Sequence, residues 1–364
     1  MASATYLFVG SLNRPAPYFE GANGAGISLY RFDDASGAAE LLCTADDIDN
    51  PTFLTVDPAR STLYASSEVF NRKEGTISAY RYELDSPRLQ YLNMQPALGS
   101  ITAYNSLAAG GRLLLVANYA MGEGGPDQSV AILPIREDGS LGPATASVAH
   151  AGSGPNRERQ ERSHAHCAIE LPGHGNILVA DLGLDQVVTY RLDADGQLQK
   201  VGTCATAPGA GPRHLAVHPS LPFVFVINEL GSTVSSLALG PDGQLSEIAT
   251  VSTLPAGTGV HNDSSDLQVS PDGRFLYGLN RGHDSVAIIE VGEDGGLTAA
   301  GHVPCGGRTP RNCALTPSGN HLLVANQNSD VITVFRRDAA DGSLADLGRP
   351  IATGTPMCIR AITA

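Results

Sequence analysis

One pattern recurs along this chain and limits what it can fold into: a short apolar strand, a turn, then a second apolar strand. NPTFLTVDPARSTLYASSE (50–68), GPRHLAVHPSLPFVFVINE (211–229), DSSDLQVSPDGRFLYGLNR (263–281) and RTPRNCALTPSGNHLLVANQ (308–327) turn at Pro58, Pro219, Pro271 and Pro317. HAHCAIELPGHGNILVAD (164–181) is one residue shorter after Pro172, and ITAYNSLAAGGRLLLVANY (101–119) turns at Gly110-Gly111 instead. Proline fixes, and glycine tolerates, the backbone angles of a tight turn. Successive copies start roughly 45–60 residues apart, the spacing of propeller blades.

Between the copies, segments such as DQVVTYRLDADGQLQKVGTC and DSVAIIEVGEDGGLTAAGHV run strand, Asp-Gly turn, strand, which completes four strands per unit. Residues 5–10 (TYLFVG) and 27–33 (ISLYRFD) read as later strands of a blade whose first strand is absent there. GTPMCIRAI (354–362) reads as a first strand with no continuation. The expectation is an all-β, seven-bladed β-propeller, one domain over 1–364. Its ring is closed by the C-terminal strand joining the N-terminal blade, and closure is expected to leave no exposed sheet edge.

A net charge of −14 speaks against nucleic acid as a partner, because phosphate backbones call for a basic surface. Tryptophan is absent, which argues against a WD40 scaffold, and Lys73 and Lys200 are the only lysines. The six cysteines show no CxxC spacing and read as free, buried thiols rather than a zinc site. The start, MASATYLFVG, lacks a charged segment followed by an apolar core, and no run of about 20 apolar residues follows. A cytoplasmic protein without membrane contact is expected. A closed propeller is stable alone, so a monomer or weak homo-oligomer is expected too.

Aligning the copies on their turns produces two rings of equivalent positions. Six residues before each turn proline stand Thr52, His166, Arg213, Ser265 and Arg311, with Met357 equivalent in the closing strand. Ten residues after it stand Glu68, Glu229, Arg281 and Gln327, with Asp181 once the deletion is allowed for. Both rings are expected at one mouth of the central channel, where polar types replace the Val, Leu and Phe of neighbouring positions. His164-Ala-His166 would need further ligands to hold zinc, and His261, Asp263 and His283 qualify by composition alone, so no metal is expected. The Gly-rich stretches EGANGAG and GEGGPD lack a strand–turn–helix context, and no cofactor is expected. His150, His174, His302 and His321 read as surface turn residues.

GPRHLAVHP, VINELGSTV, SPDGRFLYGLNRGHDSVAI, TPRNCALTPSG and LLVANQNSDVITVF resemble the seven-bladed propeller lactonases, the propeller-type bacterial 6-phosphogluconolactonases, over nearly the whole chain. The fungal carboxy-muconate lactonising enzymes belong to the same family. The resemblance implies a hydrolase for a sugar-acid lactone, 6-phosphogluconolactone or a related aldonolactone or aldarolactone, in the pentose phosphate pathway. It places a histidine, two arginines and a glutamate in the active site. Carried over by motif, these are His166 or His164, Arg213, Arg281 and Glu229, with the turn register favouring His166. Glu229 or His166 would serve as general base toward water, and Arg213 or Arg281 would stabilise the oxyanion. His164, Arg311, Glu68, Asp181, Asp266, His283 and Gln327 are the expected substrate-binding set, for an anionic lactone. Asp266 stands where relatives often carry Glu or another polar residue, and the charged segment 150–166 is a candidate lid. A lactone-forming cycloisomerase and a non-catalytic binding scaffold are the alternative readings.

Overall fold

The computed structural model describes residues 4–70, 72–120 and 124–364. These residues form seven antiparallel sheets, each four-stranded in its main path and arranged as blades around a channel. Blade 1 takes its innermost strand from the C-terminus: Pro356–Thr363 pairs with Thr5–Ser11 from Thr5↔Thr363 to Ser11↔Pro356. The innermost strands of blades 2 to 7 are Pro51–Asp57, Thr102–Ala108, Ala165–Glu170, Pro212–Val217, Asp263–Val269 and Pro310–Leu315. The only helical elements among the described residues are two 3₁₀ turns, Leu182–Leu184 and Gln327–Ser329.

Strand alternation explains the layering. Side chains two apart share a face of the sheet, so each second and third strand buries apolar residues on both sides against neighbouring blades. Seven apolar clusters result, one at each blade–blade interface. Phe8, Leu29, Leu54, Leu63 and Tyr80 join blades 1 and 2, and Leu7, Val9, Leu323, Val334 and Ile359 join blades 7 and 1. Each such side chain contributes about 1.5–3 kcal/mol by leaving water. Gly10 permits the first of these contacts, since a Cβ there would lie 2.1 Å from the Pro51 carbonyl oxygen. All six cysteines are free thiols, and five are buried.

Ring closure does not remove every sheet edge, contrary to expectation. The outermost strands Ala38–Ala45, Arg88–Pro96, Leu198–Ala205, Leu245–Ser252 and Leu297–Pro304 stay largely exposed. Each pairs with its inner neighbour through a register shift, as between Tyr80 and Ala79 or Thr189 and Tyr190. Such irregularities twist an edge away from docking with another chain. No helix of the described residues is long and apolar enough to cross a membrane.

Candidate active site

The innermost strand of every blade carries a register shift at the same place. The residue left out of the ladder is Met357, Thr52, Ala103, His166, Arg213 and Arg311 in blades 1 to 5 and 7, and Ser265 with Asp266 in blade 6. A bulge re-aims its extra side chain. This is the ring expected six residues before each turn, and the bulge explains why polar residues interrupt an apolar strand there.

The strands enter these bulges through residues in the left-handed region: Asn50 (φ 45°), Ile101 (51°), Gly211 (67°), Thr309 (58°) and Thr355 (36°). For the non-glycine residues this costs about 1–3 kcal/mol each, so the surroundings must impose it. At three of the five positions an aspartate of the preceding blade does so. Asp185, Asp284 and Asp330 accept hydrogen bonds from the backbone N–H of Gly211, Thr309 and Thr355, each at 2.8 Å. Each clip lies two residues before a bulge residue, so blade-to-blade contact places Arg213, Arg311 and Met357.

The bulge residues and the ends of the second strands enclose a cavity of about 490 Å³. Its wall includes His166, Arg213, Glu229, Arg281, Arg311, Glu68 and Gln327, all expected from sequence. Arg159, Tyr18, Asp263 and Tyr119 also line it. Four guanidiniums therefore share the space with three carboxylates. Glu229 is the hub. Its Oε2 lies 2.8 Å from Arg213 Nε and 2.9 Å from Arg281 Nη2, and its Oε1 accepts from Arg159. The Arg213 Nε–H is not aligned for a hydrogen bond, so that contact is an ion pair. Arg311 is more loosely held, with Nη2 3.6 Å from Glu68 Oε2 and its guanidinium 5.4 Å from the Tyr18 ring centroid. The Tyr18 hydroxyl donates to Glu68 Oε1 at 2.8 Å.

Burial and charge set the protonation states. Burial pushes the Glu229 carboxyl up, but Arg281, Arg213 and Arg159 overcome it and leave the pKa at about 2. Burial, assisted by Arg281, brings Arg213 down to about 9 against the pull of Glu229. Burial first, then the charges of Arg213, His214 and Arg311, hold His166 well below the usual imidazole range. It is therefore neutral at pH 7, and its buried Nδ1 has no hydrogen-bond partner.

Four expected substrate-binding residues lie outside this cavity. His164 is buried, stacked on Tyr119 at 4.3 Å, with Nδ1 2.7 Å from the Tyr119 carbonyl and Nε2 3.2 Å from Glu161. The bulge turns His166 inward and His164 into the neighbouring loop. Asp181 pairs with Ala165 as Asn228 does with Pro212 and Asn326 with Pro310. Leu182, and not Asp181, is thus equivalent to Glu229: from turn proline to ladder partner the spacing is the same in all three blades, so the expected deletion after Pro172 is not there. Asp181 accepts from Ser163, from the backbone of His164 and from Gly183. Asp266 sits below the cavity against His214 and Asn312. His283 lies beside the site, on Ser285 and Asn262. Two histidines expected at the surface are built in: His150 bridges Asp181 and Tyr190, and His321 is buried against Asp34. Among the described residues no three His, Cys, Asp or Glu side chains group to hold a metal.

Sequence reasoning missed Arg159 as an individual, although it lies in the charged segment singled out as a lid. Gln160 anchors that segment: fully buried, it donates to the Leu182 carbonyl and to Asp185 Oδ1. Tyr18 falls between blade strands in a stretch without repeat register, so no alignment of the copies exposes it.

The model of the family described as "Lactonase, 7-bladed beta-propeller" matches residues 6–361. The chain belongs to the seven-bladed β-propeller lactonases. A 6-phosphogluconolactonase of Bacillus subtilis is 34% identical over 337 residues, 92% of this lactonase and 94% of the relative. A 6-phosphogluconolactonase of Formosa agariphila is 32% identical, covering 98% and 99% of the two chains. Among solved structures, the periplasmic gluconolactonase of Pseudomonas aeruginosa superposes with a TM-score of 0.89 at 33% identity, covering 99% of each chain.

Proposed function

We propose that this lactonase hydrolyses a sugar-acid lactone carrying an anionic group, with 6-phosphogluconolactone the first candidate and a related aldonolactone or aldarolactone the next. The observation that carries this reading is a single cavity holding four guanidiniums beside a neutral, unpartnered imidazole. Arginine suits planar, two-point recognition of carboxylate or phosphate. With a net charge of −14 the protein repels anions at long range, so the local cluster must reverse the sign at the mouth, within a Debye length of about 8 Å. The names of the relatives support both a phosphorylated and an unphosphorylated lactone.

Between the two candidate bases, the contacts favour His166, whose Nδ1 has no hydrogen-bond partner. Glu229 is paired on both oxygens and has a pKa of about 2, which leaves it little basicity. In the proposed reaction a water oxygen attacks the lactone carbonyl carbon while His166 accepts its proton. Arg213, deepest of the four, stabilises the oxyanion, worth about 3–4 kcal/mol where such a donor is removed. The tetrahedral adduct collapses, the ring C–O bond breaks, and the imidazolium returns its proton to the leaving alkoxide. Burial, with the charges of Arg213, His214 and Arg311 beside it, makes that imidazolium readier than a free one to give up its proton, which favours the last transfer. Glu229 aligns the arginines, and Arg159, Arg281 and Arg311 hold the anionic group. The product is an open-chain hydroxy acid that releases a proton at pH 7.

The test is proton release with 6-phosphogluconolactone, gluconolactone and galactarolactone, for the wild type and His166→Ala. A wild-type rate above the spontaneous one, reduced roughly 10²–10⁴-fold in the variant, is expected. No catalysis of any of the three lactones would overturn the lactonase reading. Full activity of His166→Ala would overturn its role as base.

A further inference from the structure

The throat beneath the cavity holds a buried carboxylate–imidazole pair that the proposed reaction does not use. His214, next after the bulge at Arg213, and Asp266, within the bulge of blade 6, meet there with Nδ1 and Oδ1 2.7 Å apart. Both are 4% exposed. Neither lines the substrate cavity, and both line a separate cavity of about 290 Å³ toward the other channel mouth.

The hydrogen bonds determine which nitrogen carries the proton. Arg213 Nη1 lies 3.2 Å from His214 Nε2. A guanidinium can only donate, so Nε2 must present its lone pair and Nδ1 must hold the hydrogen. That hydrogen goes to Asp266 Oδ1. The other carboxylate oxygen, Oδ2, accepts from the Asn312 side chain and, at 3.0 Å, from the Cys313 backbone. Edge contacts with Tyr104 at 5.2 Å and Phe53 at 5.8 Å fix the imidazole plane. Arg213 Nη1 also donates to the Ser265 carbonyl. The guanidinium is thus held from below by His214 and Ser265, and at Nε by Glu229.

We propose that Asp266 and His214 are positioning residues: the carboxylate fixes the His214 tautomer, and that tautomer supplies the acceptor that orients Arg213 toward the reacting carbonyl. The inference rests on the lactonase reading only for the task of Arg213. Asp266→Asn has a specific consequence. With Asn312 and Cys313 both donating to one position, the new amide keeps its oxygen there and turns its NH₂ toward His214. Nδ1 must then accept, the proton moves to Nε2, and a donor faces the Arg213 donor. The same logic of a carboxylate setting a tautomer operates in hydrolytic triads.

Two measurements test this on the full chain. Long-range ¹H–¹⁵N correlation of histidine-labelled protein is expected to show His214 as the Nδ1–H tautomer in the wild type and as the Nε2–H tautomer in Asp266→Asn. With the lactone turned over fastest, Asp266→Asn is expected to lower kcat at least tenfold with KM changed less than threefold. His214→Phe keeps the ring volume and removes the acceptor. It is expected to lose a similar factor, and adding Asp266→Asn to it to cost little more. His214→Gln, which can accept from Arg213 and donate to Asp266, is expected to recover part of kcat. An Nε2–H tautomer in the wild type, or a kcat of Asp266→Asn within twofold of wild type, overturns the proposal. A wild type without lactone turnover overturns the functional reading instead, and the tautomer comparison still decides this one.

Discussion

Replacing Glu229 by glutamine removes a carboxylate that touches three guanidiniums, and the structure sets the size of the effect. The Glu229 pKa falls from 4.5 to about 2 on folding, against the opposing push of burial. That drop corresponds to about 3 kcal/mol of folding stability at neutral pH. The side chain is 4% exposed, so solvent screens little of it. Because the folded pKa is depressed, the contribution is complete above the unfolded value of 4.5 and is lost as the pH falls through about 2. Glu229→Gln is therefore expected to unfold about 3 kcal/mol more easily at pH 7, and the gap to the wild type is expected to shrink to roughly half at pH 3. Urea unfolding of both proteins at pH 7, 5 and 3, followed by circular dichroism, measures it. A gap below about 1 kcal/mol at pH 7, the worth of an exposed ion pair, would refute the reasoning. So would a gap that does not change between pH 7 and pH 3. Either result would mean that the arginines do not draw on this carboxylate.

Other perturbations separate the parts of the site. Arg311→Met and Arg159→Met are expected to raise KM for 6-phosphogluconolactone about tenfold or more while changing KM for gluconolactone little, in steady-state assays of both; equal losses on the two lactones would remove their role as anion holders. Asp330→Ala breaks the clip to Thr355 N and a contact to the Asn23 side chain at 2.8 Å, where the ring closes. It is expected to cost about 1–3 kcal/mol in denaturant unfolding. Gly183→Ala would put a Cβ 1.8 Å from the Arg162 carbonyl oxygen and 2.9 Å from His164 N. Overpacking of this kind costs about 1–3 kcal/mol, and it is expected to push out the segment carrying Arg159, seen as faster proteolysis between 150 and 163.

The repeat made the blade count, the closing strand and the two rings around the channel legible, because turn chemistry and strand alternation act within a few residues of chain. His166, Arg213, Arg311, Glu68, Glu229, Arg281 and Gln327 were found by position alone, since each blade repeats the same bulge and the same strand end. Asp181 was misplaced by one residue, and a one-residue slip reverses the face of a strand. The turn register favoured His166 over His164, but an extended segment would point both the same way, and it is the bulge between Ala165 and Cys167 that separates them. Arg159 and Tyr18 come from connections with no repeat register, and they reach the cavity through contacts with distant residues: Arg159 with Glu229, Tyr18 with Glu68. The sequence by itself determined the propeller and which positions face its channel. Only the tertiary structure decided which charges meet there and in what protonation state, because these depend on burial and on side chains brought together from five blades and two loops.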